Sequence, residues 1–378
     1  MRILFLSLIL LTVSACQPKK NKSLPSAISQ TEKTNIKYAK GFSVTYLEGA
    51  KLVEVSKPYP TATTGFTYLL VNEGSVVPDH DQNTRVITVP ITRMVCTSTS
   101  HIPLLDYLNE TDALVGFPTL DYISSEKMRK RIDAGLVAEL GVDKSMNMER
   151  LAVLKSDLVM GYTVTGDLGQ FKKMEELNIP VVVNGEYLEE HPLGRAEWIK
   201  FMALFFNKEE LADSVFSEIE KSYNQTKERV ADVTHKPTVM SGIVYGDTWF
   251  LPGGKNYAAQ LLKDAGCTYL WGDNPSTGFL ELSFEAVYKQ AHQADLWIGV
   301  ASFTDLKSIA DSDKRYMRFN AFKNGNVFTY DARKGAKGGS EFLELGYLRP
   351  DLILKDLVKI THPDLLPEHA LYFHRQLQ

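Results

Sequence analysis

Three groups of residues in this chain have the chemistry to hold a small molecule. The turn Ser98-Thr99-Ser100-His101 sets three hydroxyls beside an imidazole. Aromatic side chains recur in short polar segments: Tyr122, Tyr162 with Thr163, Tyr187, Trp249 with Phe250, and Phe303. A flat aromatic ring gives a large apolar contact at low entropic cost and keeps a polar edge, which suits a bulky organic guest. Arg333, Lys334 and Lys337 cluster in the Gly-rich segment 331–339, and cations beside an aromatic groove favour an anionic guest.

The same residues support other chemistries less well. Serines near an imidazole suggest nucleophilic catalysis, but a triad needs an oriented third group and no Gly-x-Ser-x-Gly elbow is present. Pro252-Gly253-Gly254-Lys255-Asn256 lacks the first Gly and the terminal hydroxyl of a phosphate loop. No Gly-x-Gly-x-x-Gly follows the first α/β strand, so a dinucleotide has no cradle. His101 has no second His or Cys at ligand spacing, so no metal site and no resident cofactor are expected; it caps its turn or touches the guest. An enzyme that modifies its guest, such as a hydrolase, is the alternative reading, and a surface adhesion or scaffold protein a third.

These residues gain meaning from the elements that must position them. From residue 93 onward strands alternate with helices: 94–97, 113–116, 157–160 and 180–183 read as strands, and 102–108, 148–154 and 170–177 as helices. After residue 237 the rhythm repeats, with strands at 238–245, 295–300 and 326–329 and helices at 257–265, 284–292 and 351–360. Such alternation implies two mostly parallel sheets covered on both faces, with ligands at the carboxyl ends of the strands. All three residue groups fall in those strand-end loops. Between the halves, apolar positions at Leu211, Val215, Ile219, Tyr223, Thr226 and Val230 trace one face of a helix over 208–232, with Asn207 as its cap and Pro237 as its stop. The fold class expected is therefore α/β: two Rossmann-like lobes, 91–206 and 237–378, joined by one long helix within 207–236. Residues 37–90 alternate instead and read as an antiparallel β extension. Its Asp79-His80-Asp81-Gln82-Asn83 begins like a calcium loop but lacks the required Gly and Glu, so it reads as loop.

The first residues set the compartment. Arg2, an apolar run over 3–13 and then Ser14-Ala15-Cys16 read as a secretory signal over 1–15. Val13-Ser14-Ala15-Cys16 resembles a bacterial lipobox, in which Cys16 would carry the lipid, and 16–36 reads as a flexible tether. An anchored protein in the periplasm or at the cell surface is expected. Cys96 and Cys267 lie in different halves, so stability must come from burial rather than disulfides. A net charge of −4 argues against a nucleic-acid partner.

Several motifs together carry a family resemblance. They are Arg93-Met94-Val95-Cys96-Thr97-Ser98, Asp112-Ala113-Leu114-Val115-Gly116, Asn147-Met148-Glu149-Arg150-Leu151, Phe250-Leu251-Pro252-Gly253-Gly254-Lys255-Asn256, Ser283-Phe284-Glu285 and Arg349-Pro350-Asp351. In order and spacing they resemble the periplasmic substrate-binding proteins that deliver iron–siderophore complexes or cobalamin to ABC importers. The resemblance runs from about residue 93 to 363. It implies a monomer that binds a metal chelate in the inter-lobe groove, with a haem or corrinoid guest as the alternative, and that docks on a membrane permease. Glu149 matches the family's docking carboxylate on the first lobe. The second lobe has Asn256 at the matching place, with Glu281 or Glu285 as substitutes.

Overall fold

The computed structural model describes residues 35–300 and 303–378; the signal segment, Cys16 and most of the tether lie outside the described residues. Residues 42–89 form a four-stranded sheet of β1 (Phe42–Leu47), β2 (Ala50–Val55), β3 (Phe66–Asn72) and β4 (Arg85–Val89). The first three strands are antiparallel, but β4 lies parallel to β3, so the expected all-antiparallel extension is a mixed sheet. The reason is the connection over 73–84, which carries the chain back to the start of β3 instead of turning tightly.

The first lobe holds β5 (Met94–Cys96), α1 (His101–Tyr107), β6 (Leu114–Phe117), α2 (Glu126–Asp133), β7 (Ala138–Glu139), α3 (Met148–Leu154), β8 (Leu158–Gly161), α4 (Gly169–Glu176), β9 (Val181–Val183) and α5 (Pro192–Ala203). Its sheet is wholly parallel, in the order β7-β6-β5-β8-β9. Apart from the short edge strand β7, the strands are fully buried runs such as Met94-Val95-Cys96 and Val181-Val182-Val183, as a sheet covered on both faces requires. Strand order reverses between β5 and β8, the place where such a sheet opens a crevice for ligand.

The bridging helix α6 runs Glu209–Arg229, 21 residues and roughly 32 Å at 1.5 Å per residue. It is shorter than 208–232. Asn207 does not cap it: its backbone is left-handed (φ 54°) and its amide oxygen accepts from Lys51 Nζ at 2.7 Å. The helix ends before Pro237 because Val230 turns in to join the core, where it is 5% exposed. The N-terminal half of α6 is tied to the first lobe and the extension through Glu209 with Lys51, and Asp213 with Lys200 at 3.1 Å. Its C-terminal half is tied to the second lobe, where Tyr223 donates to Asp264 at 2.7 Å and Lys227 pairs with Asp264 at 2.9 Å.

The second lobe follows with β10 (Thr238–Ser241), β11 (Ile243–Tyr245), β12 (Thr248–Pro252), α7 (Tyr257–Asp264), β13 (Thr268–Tyr269), β14 (Phe279–Leu282), α8 (Phe284–Ala291), β15 (Leu296–Ile298), α9 (Leu306–Ser312), α10 (Asn320–Lys323), β16 (Val327–Thr329), α11 (Glu341–Leu345), α12 (Pro350–Thr361) and β17 (Arg375–Gln376). Its main sheet, β13-β10-β15-β16-β17, is parallel except for β17. The expected single strand over 238–245 is two strands in two sheets, because the chain breaks at Gly242. There φ is +81° and a Cβ would lie 1.9 Å from the Phe250 carbonyl. Past it, β11 pairs with β12 as a hairpin, and β14 joins as a third strand.

The extension braces the first lobe. The β9 edge donates from Val183 N to the Tyr68 hydroxyl at 2.9 Å, so one side chain of β3 satisfies a backbone donor at that sheet edge. Arg85 reaches Glu175 on α4 at 2.5 Å, and the buried Lys51 caps the end of α5 through the Leu204 carbonyl at 3.0 Å. Ahead of β1, two carboxylates on and before α5 catch five successive backbone N–H groups. Glu197 accepts from Lys37, Tyr38 and Ala39 at 2.6–2.9 Å, and Glu189 from Lys40 and Gly41 at 2.8–2.9 Å. Among the described residues no helix is long and apolar enough to cross a membrane. Cys96 and Cys267 are both free and buried, and burial pushes the Cys267 thiol up to about 12.

Candidate functional site

At the reversal point of the first lobe, the loop after β5 carries the hydroxyl turn. The hydroxyls of Ser98 and Ser100 lie 2.8 Å apart, and Ser100 Oγ donates to Glu186 Oε1 at 2.5 Å. Glu186 comes from the loop after β9 and is buried; burial raises its carboxyl above the usual range, against the Ser100 hydroxyl bond that lowers it. His101 does not take either expected role. It opens α1 with its ring fully buried, 3.9 Å from Glu186 Oε2, and Ser100 holds the cap position. Burial holds the imidazole neutral, its pKa lowered to about 3, so it is a floor beneath the crevice rather than a contact within it.

The next two loops bring aromatics together. Tyr162 and Tyr187 meet edge to face, ring centres 6.2 Å apart, and the Tyr187 hydroxyl donates to the Thr163 carbonyl at 2.7 Å. Both rings are half-buried. Burial raises the Tyr162 hydroxyl above its ordinary value, and Asp143, Glu186 and Tyr347 push it in the same direction. Arg195 on α5 completes the crossing. Its guanidinium donates to the Tyr187 carbonyl at 2.7 Å and stacks over the Tyr257 and Tyr347 rings at 4.0 and 4.9 Å. Cation–π stacking of this kind is worth about 1–2 kcal/mol where water is excluded. A first-lobe cation thus joins the Tyr187 backbone to a second-lobe tyrosine pair whose ring centres lie 5.9 Å apart.

The other expected residues are placed elsewhere. Trp249 is a correction: it is fully buried, because β12 is a strand rather than a strand-end loop. Its indole donates to the Ser241 carbonyl at 3.1 Å and packs 5.5 Å from Trp297. Phe250 on the same strand is half-buried, and Phe303 packs against the main core. Tyr122 is 62% exposed, and its backbone rather than its ring makes the inter-lobe contact: a Cβ at Gly339 would lie 2.2 Å from the Tyr122 carbonyl. Arg333 is apart from the tyrosines. It stacks on Tyr372 at 4.1 Å and lines a cavity of about 320 Å³ between the lobes, with Asp106, Tyr107, Lys127, Glu341 and Glu344. There Glu344, nearly fully buried, accepts from Ser124 and Ser125 N–H at 2.5 and 2.8 Å across the lobe boundary. Arg349, held by Asp351, reaches Tyr107 across the same boundary at 2.9 Å.

Glu149 stands exposed in the first turn of α3. Asn256 is occupied structurally: it caps α7 by accepting from Ala258 N–H at 2.9 Å and donates to the Thr277 carbonyl at 3.0 Å. Glu281 and Glu285 are exposed, and Glu285 pairs with Arg315 at 3.1 Å. Sequence reasoning missed Arg195, Tyr257 and Tyr347. Arg195 lies inside an apolar helix and Tyr257 at a helix start, positions that give no strand-end signal.

Comparison with known proteins places this geometry. Residues 94–334 match the family described as periplasmic binding protein. The chain belongs to that family. It is 28% identical over 366 residues, spanning 89% of this chain and 84% of the other, to a protein of Methanocaldococcus jannaschii described as an uncharacterized lipoprotein. Among solved structures, it resembles the siderophore-binding protein of Vibrio cholerae with Fe3+–Desferal bound. That TM-score is 0.53 at 18% identity, covering 72% of this chain and 100% of that one. A periplasmic haem-binding protein of Pseudomonas aeruginosa matches with a TM-score of 0.56 at 13% identity, covering 76% and 98%. The two-lobed α/β fold is common to this chain and the two solved structures.

Proposed function

We propose that this chain is the solute-binding component of an ABC importer, which captures a metal chelate between its lobes and hands it to a membrane permease. An iron–siderophore chelate is favoured, and the chain is held at the membrane by a lipid on Cys16. The observation that carries the reading is the half-buried pair Tyr162 and Tyr187 at the strand ends, beside Arg195, which crosses the lobe boundary to stack on the buried Tyr257 and on Tyr347. Aromatic faces accept a large organic scaffold, and the guanidinium complements its anionic oxygens. The siderophore protein of Vibrio cholerae, a neighbour in fold, supports the guest class. Haem is the second reading, supported by the haem-binding neighbour and by tyrosine hydroxyls at the crevice. Binding is the role, and catalysis is not part of it. Glu149 is the docking carboxylate on the first lobe.

The test is quenching of intrinsic fluorescence by ferric desferrioxamine, haemin and cyanocobalamin. One of the three is expected to quench saturably at one equivalent, with no chemical change in the ligand. Tyr162→Ala with Tyr187→Ala is expected to weaken it by about 2–3 kcal/mol, the loss of two aromatic contacts. Absence of saturable quenching by all three, or turnover of the ligand, contradicts the proposal.

A further inference from the structure

The β2–β3 connection of the extension does more than link two strands. It runs as Lys57-Pro58-Tyr59-Pro60-Thr61-Ala62, with two prolines restricting it and a turn closed by Ala62 N–H on the Tyr59 carbonyl at 3.1 Å. This stretch lies directly against the two first-lobe loops that carry Tyr162, Thr163 and Tyr187. At Gly166, φ is +76° and a Cβ would stand 3.0 Å from the Tyr59 ring and 3.4 Å from Thr61 Oγ1. At Gly185 a Cβ would stand 3.1 Å from the Lys57 carbonyl. Both loops therefore carry no side chain where the extension touches them, and the extension packs directly on each. The Tyr59 ring is half-buried, and Thr61 is exposed beside it.

We infer that this segment forms an outer wall of the chelate crevice, with Tyr59 as a specificity-determining residue. The inference rests on the chelate-binding reading and adds to it a recognition surface outside residues 94–334, the span matched by the family. The inter-lobe array holds the core of the guest. Tyr59 and Thr61, packed on Gly166 in the loop that carries Tyr162, meet its periphery: an apolar face and a hydroxyl for the organic scaffold, not for the metal. A chelate large enough to overhang the crevice gains from the wall, and a compact one does not.

The test uses the full chain with the same three probes, in wild type, Tyr59→Ala and Tyr59→Leu, the last keeping bulk against Gly166. For whichever probe wild type binds, Tyr59→Ala is expected to raise Kd about tenfold. Tyr59→Leu is expected to do so by a smaller factor, with the thermal midpoint of both variants unchanged. Kd within twofold of wild type in both variants overturns the inference and leaves the chelate-binding reading standing. An affinity loss that appears only together with a lowered midpoint also overturns it, since Tyr59 is then only packing. No saturable quenching of wild type by any probe overturns the proposed function, and this inference with it.

Discussion

Glu197→Ala is expected to cost about 3–5 kcal/mol of stability, the loss seen when one member of a buried, hydrogen-bonded charge pair is removed. Glu197 is fully buried on α5, and its two oxygens take the backbone N–H groups of Lys37, Tyr38 and Ala39. It also pairs with Lys200 at 3.1 Å, itself nearly buried beneath the same strap. Removing the carboxylate orphans three donors and leaves Lys200 with Asp213 and the Asn35 carbonyl. Each orphaned donor costs about 1–3 kcal/mol unless water reaches it, so partial detachment of residues 35–41 should relieve part of the penalty. Urea unfolding read by fluorescence should show the drop, and limited proteolysis should cut the strap first. Glu197→Gln keeps one acceptor and should lose clearly less. An unfolding free energy within about 0.5 kcal/mol of wild type for Glu197→Ala would mean the strap is not held by this carboxylate.

The second large effect is a pH dependence centred on Glu344. Burial raises this carboxyl to about 7; the Ser124 and Ser125 N–H groups lower it, and Asp106 raises it further. Lys127, Glu341, Arg333 and Tyr372 line the same cavity. With the lobes apart the carboxyl returns to water and to its ordinary value of about 4.5. Between those values the packed state binds the proton more tightly than the open or unfolded chain does. The inter-lobe contact therefore strengthens as pH falls from about 7 to about 4.5, carries its full penalty above that window and is flat below it. The total is about 3 kcal/mol, from a shift of about 2.5 pH units at about 1.4 kcal/mol each. Glu344→Gln cannot ionise and should abolish the slope. Unfolding free energies of both proteins at pH 5, 6, 7 and 8 should show their difference changing across the window. A constant difference would contradict the reading.

Much of this architecture is written locally. The apolar run Val181-Val182-Val183 and the helix Met148–Leu154 were legible because burial on both faces and the alternation of strand with helix leave short-range marks. The bridging helix was legible from its apolar stripe, although its ends were not: Asn207 is claimed by Lys51, some 156 positions away in sequence. Trp249 misled for a related reason. Its position after a predicted strand looked like a ligand loop, but Gly242 folds the chain back and makes it the centre of an aromatic core with Trp297, Phe284 and Phe319. Tyr162 and Tyr187 could be placed at strand ends from the sequence, whereas Arg195 could not. Its role exists only because two lobes meet there, and no periodicity records that. The contact of Tyr59 with Gly166 is likewise a matter of tertiary packing between segments that share no pattern.

Native mass spectrometry of the protein purified from its own host tests the central claim most directly. A single organic guest is expected at one per chain, carrying metal. It should be retained by wild type and absent from the Tyr162→Ala, Tyr187→Ala double variant. Bare protein in both, with no quenching by any chelate supplied afterwards, would show that the space between the lobes holds no such guest.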